Sequence, residues 1–187
     1  MTDDLNDDGG EATIVALAEM PPLPNFAAQL DEIFFSSSAT KSFANEAERR
    51  AFRERWLGRY LEQDPDWFYV AVSGNRLAGY LAGAIDDPAG AARFADIGYF
   101  AEIAGETKNY PAHLHVNVAQ SFRSSGVGSR LIARFVVDLR AGNIHGVHLV
   151  TGRNSRNIPF YLRNGFKPLT IIKGGLSESI MLGRLLD

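Results

Sequence analysis

The chain has 187 residues, 45% of them hydrophobic and 22% charged, with a formal net charge of −3. That length suits one domain with a sizeable core, and the slight acidity leaves no electrostatic footprint for nucleic acid or an anionic membrane. Cysteine is absent, which excludes disulfides, thiolate metal sites and a cysteine acyl-enzyme.

No apolar run reaches spanning length, and the start Met1-Thr2-Asp3-Asp4 is unlike the basic start of a signal peptide, so the expected setting is the cytoplasm. Residues 1–11 read as a disordered acidic tail. Residues 12–187 read as a single domain. Ala12–Ala18 is a first strand, ended by Met20-Pro21-Pro22-Leu23-Pro24. Asn25 is placed to cap a short helix carrying Phe26, Leu30, Ile33 and Phe34. A second helix is predicted from Ser42 to about Leu61, with Phe52, Trp56, Leu57, Tyr60 and Leu61 on one face. Its other face carries Glu48, Arg49, Arg53 and Arg59, as a solvated face does. Trp67–Ser73 and Leu77–Ile85 then form a hairpin across Gly74-Asn75, with Gly79 and Gly83 marking a bulge or bend. Residues 86–109 show no clean period, and Ala91–Ala104 is expected to be partly helical.

The stretch Leu114–Gly142 carries the chemistry. Leu114, Val116 and Val118 alternate with His115 and Asn117, the period of a strand. A polar turn leads to Gly126-Val127-Gly128, and Leu131, Ile132, Phe135, Val136 and Leu139 then recur at helical spacing. Strand, glycine-bearing turn and helix together aim unpaired amides and the positive end of a helix dipole at one spot, where an anion fits. Arg123 can add charge there. The stretch is not a Walker loop, since no Lys-Ser/Thr follows Gly128. Nor is it a dinucleotide fingerprint, since Leu131 stands where a third glycine belongs. His145–Thr151 reads as a strand parallel to Leu114–Val118. Asn154–Asn164 reads as a helix that tolerates Pro159 near its first turn and ends at Gly165. Leu169–Lys173 and Ser179–Leu185 close the chain as a hairpin across Gly174-Gly175.

Arg123-Ser124-Ser125-Gly126-Val127-Gly128 resembles the Arg/Gln-x-x-Gly-x-Gly/Ala motif of the GNAT N-acetyltransferase superfamily. Asn154 through Phe160-Tyr161 to Gly165-Phe166 resembles that superfamily's second motif, Asn…Phe-Tyr-x-x-x-Gly-Phe. The segment Tyr110–His115 is similar to the acetyltransferase-like domain of O-GlcNAc hydrolases and its free-standing bacterial relatives. The resemblance covers mainly residues 110–168. It implies an α/β fold: a central, mostly antiparallel mixed sheet with one splayed parallel pair, flanked by helices on both faces.

The resemblance also implies a site. Main-chain groups of Val116 and Val118 would meet the pantetheine of acetyl-CoA. The amides of Arg123, Ser124, Ser125, Gly126, Val127, Gly128 and Ser129 would hold its pyrophosphate. Ser124 and Ser125 replace the glycine and lysine commonly seen there, which removes a lysine contact and not the turn. Tyr161 is where many relatives place a general acid beside the sulfur. Asn154 either bonds cofactor or strand backbone or caps the helix. Trp56 or Tyr60 would line the acceptor pocket, with residues 91–104 covering or framing it. The general base is open among His115, His113, Glu102 and water; strand parity turns His113 and His115 to the face opposite Val116 and Val118. No metal is expected, because His113 and His115 lack a third ligand.

The leading reading is thus an acetyl-CoA-dependent N-acetyltransferase that passes acetyl directly to an amine of unidentified kind through a ternary complex. The expected partners are acetyl-CoA and that amine, with no nucleic acid and no membrane; a homodimer is the oligomer to test for. A non-catalytic acyl-CoA-binding module is the alternative, and a structural dimerisation domain that binds no ligand is a third.

Overall fold

The computed structural model describes residues 11–174 and 178–186. The expected tail lies outside them apart from Glu11, whose carboxylate pairs with Arg130 Nη1 at 2.8 Å. Gly175, in the expected closing turn, also lies outside them.

In chain order the elements are β1 (Thr13–Ala16), α1 (Phe26–Ser37), α2 (Glu46–Arg53), α3 (Arg59–Gln63), β2 (Phe68–Ser73) and β3 (Arg76–Ala84). They continue with α4 (Tyr99–Glu102), α5 (Ala104–Thr107), β4 (Ala112–Val118), α6 (Val127–Ala141), β5 (Gly146–Gly152), α7 (Ile158–Arg163), β6 (Lys167–Ile172) and β7 (Ser179–Leu185). The strands form one sheet in the order β1-β2-β3-β4-β5-β7-β6, flanked by helices. β4 and β5 are its parallel pair; β1 with β2, β2 with β3, β5 with β7 and β6 with β7 are antiparallel. The chain divides into two compact units, Met1–Ala82 with Val116–Leu131 and Gly83–His115 with Ile132–Asp187.

In the first unit the core is built on β2, whose six residues are all buried, as a strand covered on both faces must be. Leu30, Ile33 and Phe34 form the buried stripe of α1 at three- and four-residue spacing. Asn25 does precede α1, but its side chain makes no capping bond. It is instead the left-handed residue (φ 53°) that turns the chain into the helix. The second helix starts at Glu46, later than the expected Ser42, because Asn45 caps it. Its side chain accepts from Glu48 N at 2.9 Å while Glu48 Oε2 accepts from Ala44 N at 2.8 Å. Between α2 and α3 the helix widens to a π turn over Glu54–Gly58. Glu54 folds its carboxylate onto Gly58, where any side chain would collide with it.

The β2–β3 hairpin turns at Gly74 (φ 53°), and its register shifts between Ala71 and Val72, whose partners are Gly79 and Leu77. The expected bulge therefore lies beside Gly79. A Cβ on Gly79 would stand 2.7 Å from Asn117 O and 3.2 Å from Val118 Cα, so glycine is what lets these backbones approach.

In the second unit Phe94, Phe100, Ile103, Leu114, Phe135, Leu139, Val147, Leu149 and Met181 are all nearly or fully buried. Residues 86–109 hold a 3₁₀ turn at Ala92–Phe94 besides α4 and α5, so the segment is partly helical as expected. Arg93 clasps Asp86 through Nε (3.1 Å) and Nη2 (2.5 Å). α7 is shorter than its motif, starting at Ile158 with Pro159 in its first turn and followed by Gly165 at φ 83°.

Gly79→Ala is expected to lower stability by about 1–3 kcal/mol, because both neighbours are backbone and cannot yield cheaply. Gly98→Ala, whose added Cβ would meet nothing within 4 Å, should stay within about 0.5 kcal/mol. Urea unfolding of both variants against the parent checks the pair.

Candidate active site

β4 ends in a turn whose every step is tied down within the first unit. Ala119 N donates to Ala78 O on β3 at 2.9 Å, and a 3₁₀ turn follows at Gln120–Phe122. Ser124 then takes the left-handed region at φ 65° and Gly126 at φ 83°. Ser125 Oγ donates to Phe122 O at 2.6 Å, and Arg123 Nε to Val118 O at 3.3 Å. The first intrahelical bond of α6 runs from Arg130 N to Gly126 O at 3.0 Å. The amides of Val127, Gly128 and Ser129 therefore precede the helical ladder and have no acceptor within it.

Of the two glycines, only Gly126 takes a positive φ. Gly128 is helical and buried in the first turn of α6. The second left-handed residue of the turn is Ser124, which is not a glycine. Arg123 is exposed at the start of the turn. Val116 and Val118 are half-buried, and the Val118 carbonyl is the one that receives the Arg123 bond.

Asn117, between those valines, donates from Nδ2 to Tyr80 Oη at 2.7 Å. Tyr80 is fully buried, stacked on Phe68 at 5.5 Å, and burial raises its hydroxyl pKa well above the ordinary value. No local pattern marks this pair, although parity sets Asn117 on one strand face with His113 and His115. Trp56 is half-buried and Tyr60 is sealed at 0% exposure, so Tyr60 packs in the core of this unit and lines no open pocket.

In the second unit β4 pairs with β5 over two positions, Ala112↔Val147 and His113↔His148. Leu114 and His115 carry β4 onward, while Leu149 and Val150 keep their partners Leu182 and Met181 on β7. The parallel pair thus stops at His113 and His148, as a splayed pair does.

Three histidines gather at that point. His113 and His148 are buried, with ring centroids 5.6 Å apart, and Phe94 and Phe100 stand against His113 at 4.8 and 5.7 Å. His148 Nδ1 donates to Tyr110 O at 2.5 Å. Burial, reinforced by His148, lowers His115 to about 4. Burial also lowers His148 to about 4 against the bonds to Tyr110 and Ala112, and holds His113 well below its usual range. All three imidazoles are therefore neutral at pH 7. Among the described residues no cluster of three or more His, Cys, Asp or Glu is arranged to hold a metal ion.

Tyr161 lies on α7, 7% exposed, edge-on to Phe160 at 5.1 Å and to Phe166 at 6.0 Å. Burial pushes its hydroxyl up to about 12, so it keeps its proton at neutral pH. Asn154 is exposed in the turn after β5. Because α7 begins four residues later, with Asn157 at its N-cap, the capping role considered for Asn154 is excluded. Glu102, at the end of α4, is exposed, with its carboxylate against Gly174.

The sequence model of the acetyltransferase (GNAT) family matches residues 28–166. Among solved structures, SsHAT superposes with a TM-score of 0.69 at 21% identity, covering 95% of this chain and 100% of its own. PH1933 from Pyrococcus horikoshii OT3 gives 0.66 at 16% identity, with 95% and 99% covered. YncA from Salmonella typhimurium, solved with its cofactor acetyl-CoA, gives 0.58 at 18% identity, with 95% of each chain covered. At these identities the likeness is one of fold.

The buried histidines set a pH dependence. Unfolded, each imidazole binds a proton near 6.5; folded, His115 and His148 do so only near 4. Between those values the unfolded chain takes up protons that the folded one refuses, so stability falls as pH drops from about 6.5 to about 4. The cost is about 1.4 kcal/mol for each unit and each group. Above about pH 7 these groups contribute no slope. Unfolding midpoints in urea between pH 4 and 8 should show that shape, and His148→Phe should flatten it.

Proposed function

This chain belongs to the acetyltransferase (GNAT) family, and from that premise we propose that it is an acetyl-CoA-dependent N-acetyltransferase acting on an amine. The observation that carries the proposal is the turn after β4, where left-handed Ser124 and Gly126 lead into three amides that precede the α6 ladder. A diphosphate is the group such a cradle suits. A cytoplasmic setting without nucleic-acid or membrane partners belongs to the same proposal, supported by the net charge of −3. Among the described residues no helix is long and apolar enough to cross a membrane.

In the proposed reaction the amine lone pair attacks the thioester carbonyl, so that a C–N bond forms and the C–S bond breaks. The departing thiolate takes a proton from the hydroxyl of Tyr161, which is protonated at neutral pH. Tyr161 is made good from solvent, and the proton shed by the amine goes to water. The amides of residues 123–129 hold the diphosphate, with Asn154 bonding backbone or cofactor. Acetyl passes directly within a ternary complex, a route that the absence of cysteine, and so of a thiol acyl-enzyme, fits. Residues 91–104 frame the acceptor.

The module reading, with binding and no turnover, draws on one observation: the histidines near the end of the parallel pair are held neutral by burial, and none is placed as a strong base.

Melting with acetyl-CoA at a hundredfold excess over its Kd should add roughly 2.7 kcal/mol of stability. Gly128→Val should abolish that gain by crowding the diphosphate; no gain in the parent would defeat the cofactor reading. Free-thiol release with a panel of amines separates enzyme from module. Tyr161→Phe should slow turnover roughly ten- to a thousandfold with cofactor affinity nearly unchanged. Matching pH–rate profiles for Tyr161→Phe and the parent would remove Tyr161 from the mechanism.

A further inference from the structure

Asn117 is tied to β3 by its main chain and by its side chain, both within the first unit. Its carbonyl oxygen lies against Gly79, where an added Cβ would stand 2.7 Å from it, and its Nδ2 donates to Tyr80 Oη at 2.7 Å. Two residues on, Ala119 N donates to Ala78 O at 2.9 Å. In an extended strand the main-chain groups of alternate residues leave by the same edge. Asn117 and Ala119 face β3, so the N–H and C=O groups of Val116 and Val118 leave by the other edge. Tyr80 is a fixed anchor for this arrangement. It is 1% exposed and stacked on Phe68 at 5.5 Å. Asp31 of α1 and Arg53 of α2, paired at 2.7 Å, act on its hydroxyl with opposite sign. Strand pairing itself needs only main-chain bonds, so the side-chain bond adds something else: it resists rotation of β4 about its own axis.

We infer that Asn117 is a positioning residue for the pantetheine arm of the cofactor: held by Tyr80, it fixes the direction in which Val116 and Val118 present their main-chain groups to the amides of that arm. The inference rests on the acetyl-CoA reading above. A pantetheine arm carries secondary amides, and a strand edge meets such amides as it meets a neighbouring strand. Those bonds weaken steeply once the donor angle falls far from linear, so a strand that rolls about its axis loses them before it loses its own pairing. A main chain already set at the binding angle also lowers the entropy lost when the ligand arrives. Opening the Asn117–Tyr80 bond would strand a buried hydroxyl, which keeps the pair closed. The nucleotide end is held differently. On the same reading it sits on the amides of residues 123–129, whose turn is tied by its own bond from Ser125 Oγ to Phe122 O. Loss of the Asn117 bond therefore acts on one end of the ligand and spares the other.

Calorimetric titration of coenzyme A, and of adenosine 3′-phosphate 5′-diphosphate, which lacks the pantetheine arm, tests this on the parent, Asn117→Ala, Tyr80→Phe and the double variant. Asn117→Ala and Tyr80→Phe should each weaken coenzyme A roughly five- to tenfold, the scale of one hydrogen bond. Both should leave the nucleotide's affinity unchanged, which also shows that the variants are folded. The double variant should bind coenzyme A no more weakly than either single one, because all three remove the same bond. Unchanged coenzyme A binding in Asn117→Ala, equal weakening of both ligands, or full additivity in the double variant overturns the positioning role alone. If the parent binds neither ligand, the acetyl-CoA reading falls and the positioning role with it.

Discussion

The structure depends on a backbone constraint: the chain must leave β4 and enter α6 with successive amides pointing the same way. Left-handed backbone supplies the reversal, and at Ser124 it costs roughly 1–2 kcal/mol because the residue carries a Cβ. That cost is offset by surroundings that allow few alternatives. Ala119 is bonded to Ala78, the Arg123 side chain to Val118 O and Ser125 Oγ to Phe122 O. Val127 and Leu131 bury the first turn of the helix. Because these bonds hold the main chain, a serine can stand at the left-handed position.

How much of the fold is legible in the sequence follows from the reach of each interaction. The period-2 stretches at β4 and β5, the Gly74 turn, the bulge beside Gly79 and the break at Gly165 all follow from local rules, since each needs only its own residues. Three features escaped because they are settled by contacts distant in sequence or by competing bonds. The π turn at Glu54–Gly58 leaves no mark on hydrophobic spacing. The start of α2 at Glu46, later than Ser42, is decided by the reciprocal Asn45 and Glu48 capping bonds. The clasped Arg93–Asp86 pair, and the bounds of the short helices within residues 86–109, depend on tertiary packing that has no period to read.

For the site, the motif positions mark the turn after β4 and Tyr161 but not the burial of the tyrosine. Tyr161 looked like either a general acid or a packing aromatic, and it is packed and protonated at once. Packing leaves the hydroxyl its proton, as a phenol of ordinary pKa would also keep it at neutral pH. Asn117 went unnoticed because its partner Tyr80 is distant in sequence and the bond between them forms only when β3 and β4 approach over Gly79.

Burial has the opposite consequence for the histidines. A proton acceptor for a protonated amine needs a conjugate acid of comparable weakness. An alkylammonium near 10.4 and an imidazolium near 4 differ by about six orders of magnitude in that respect. The low dielectric that makes His115 neutral at pH 7 also makes it unable to hold an ammonium's proton. It can still accept a hydrogen bond from an amine that arrives neutral. In the proposed reaction the acceptor is therefore selected in its unprotonated form, and deprotonation belongs to solvent before attack. The histidines exact their cost as acid lability of the fold.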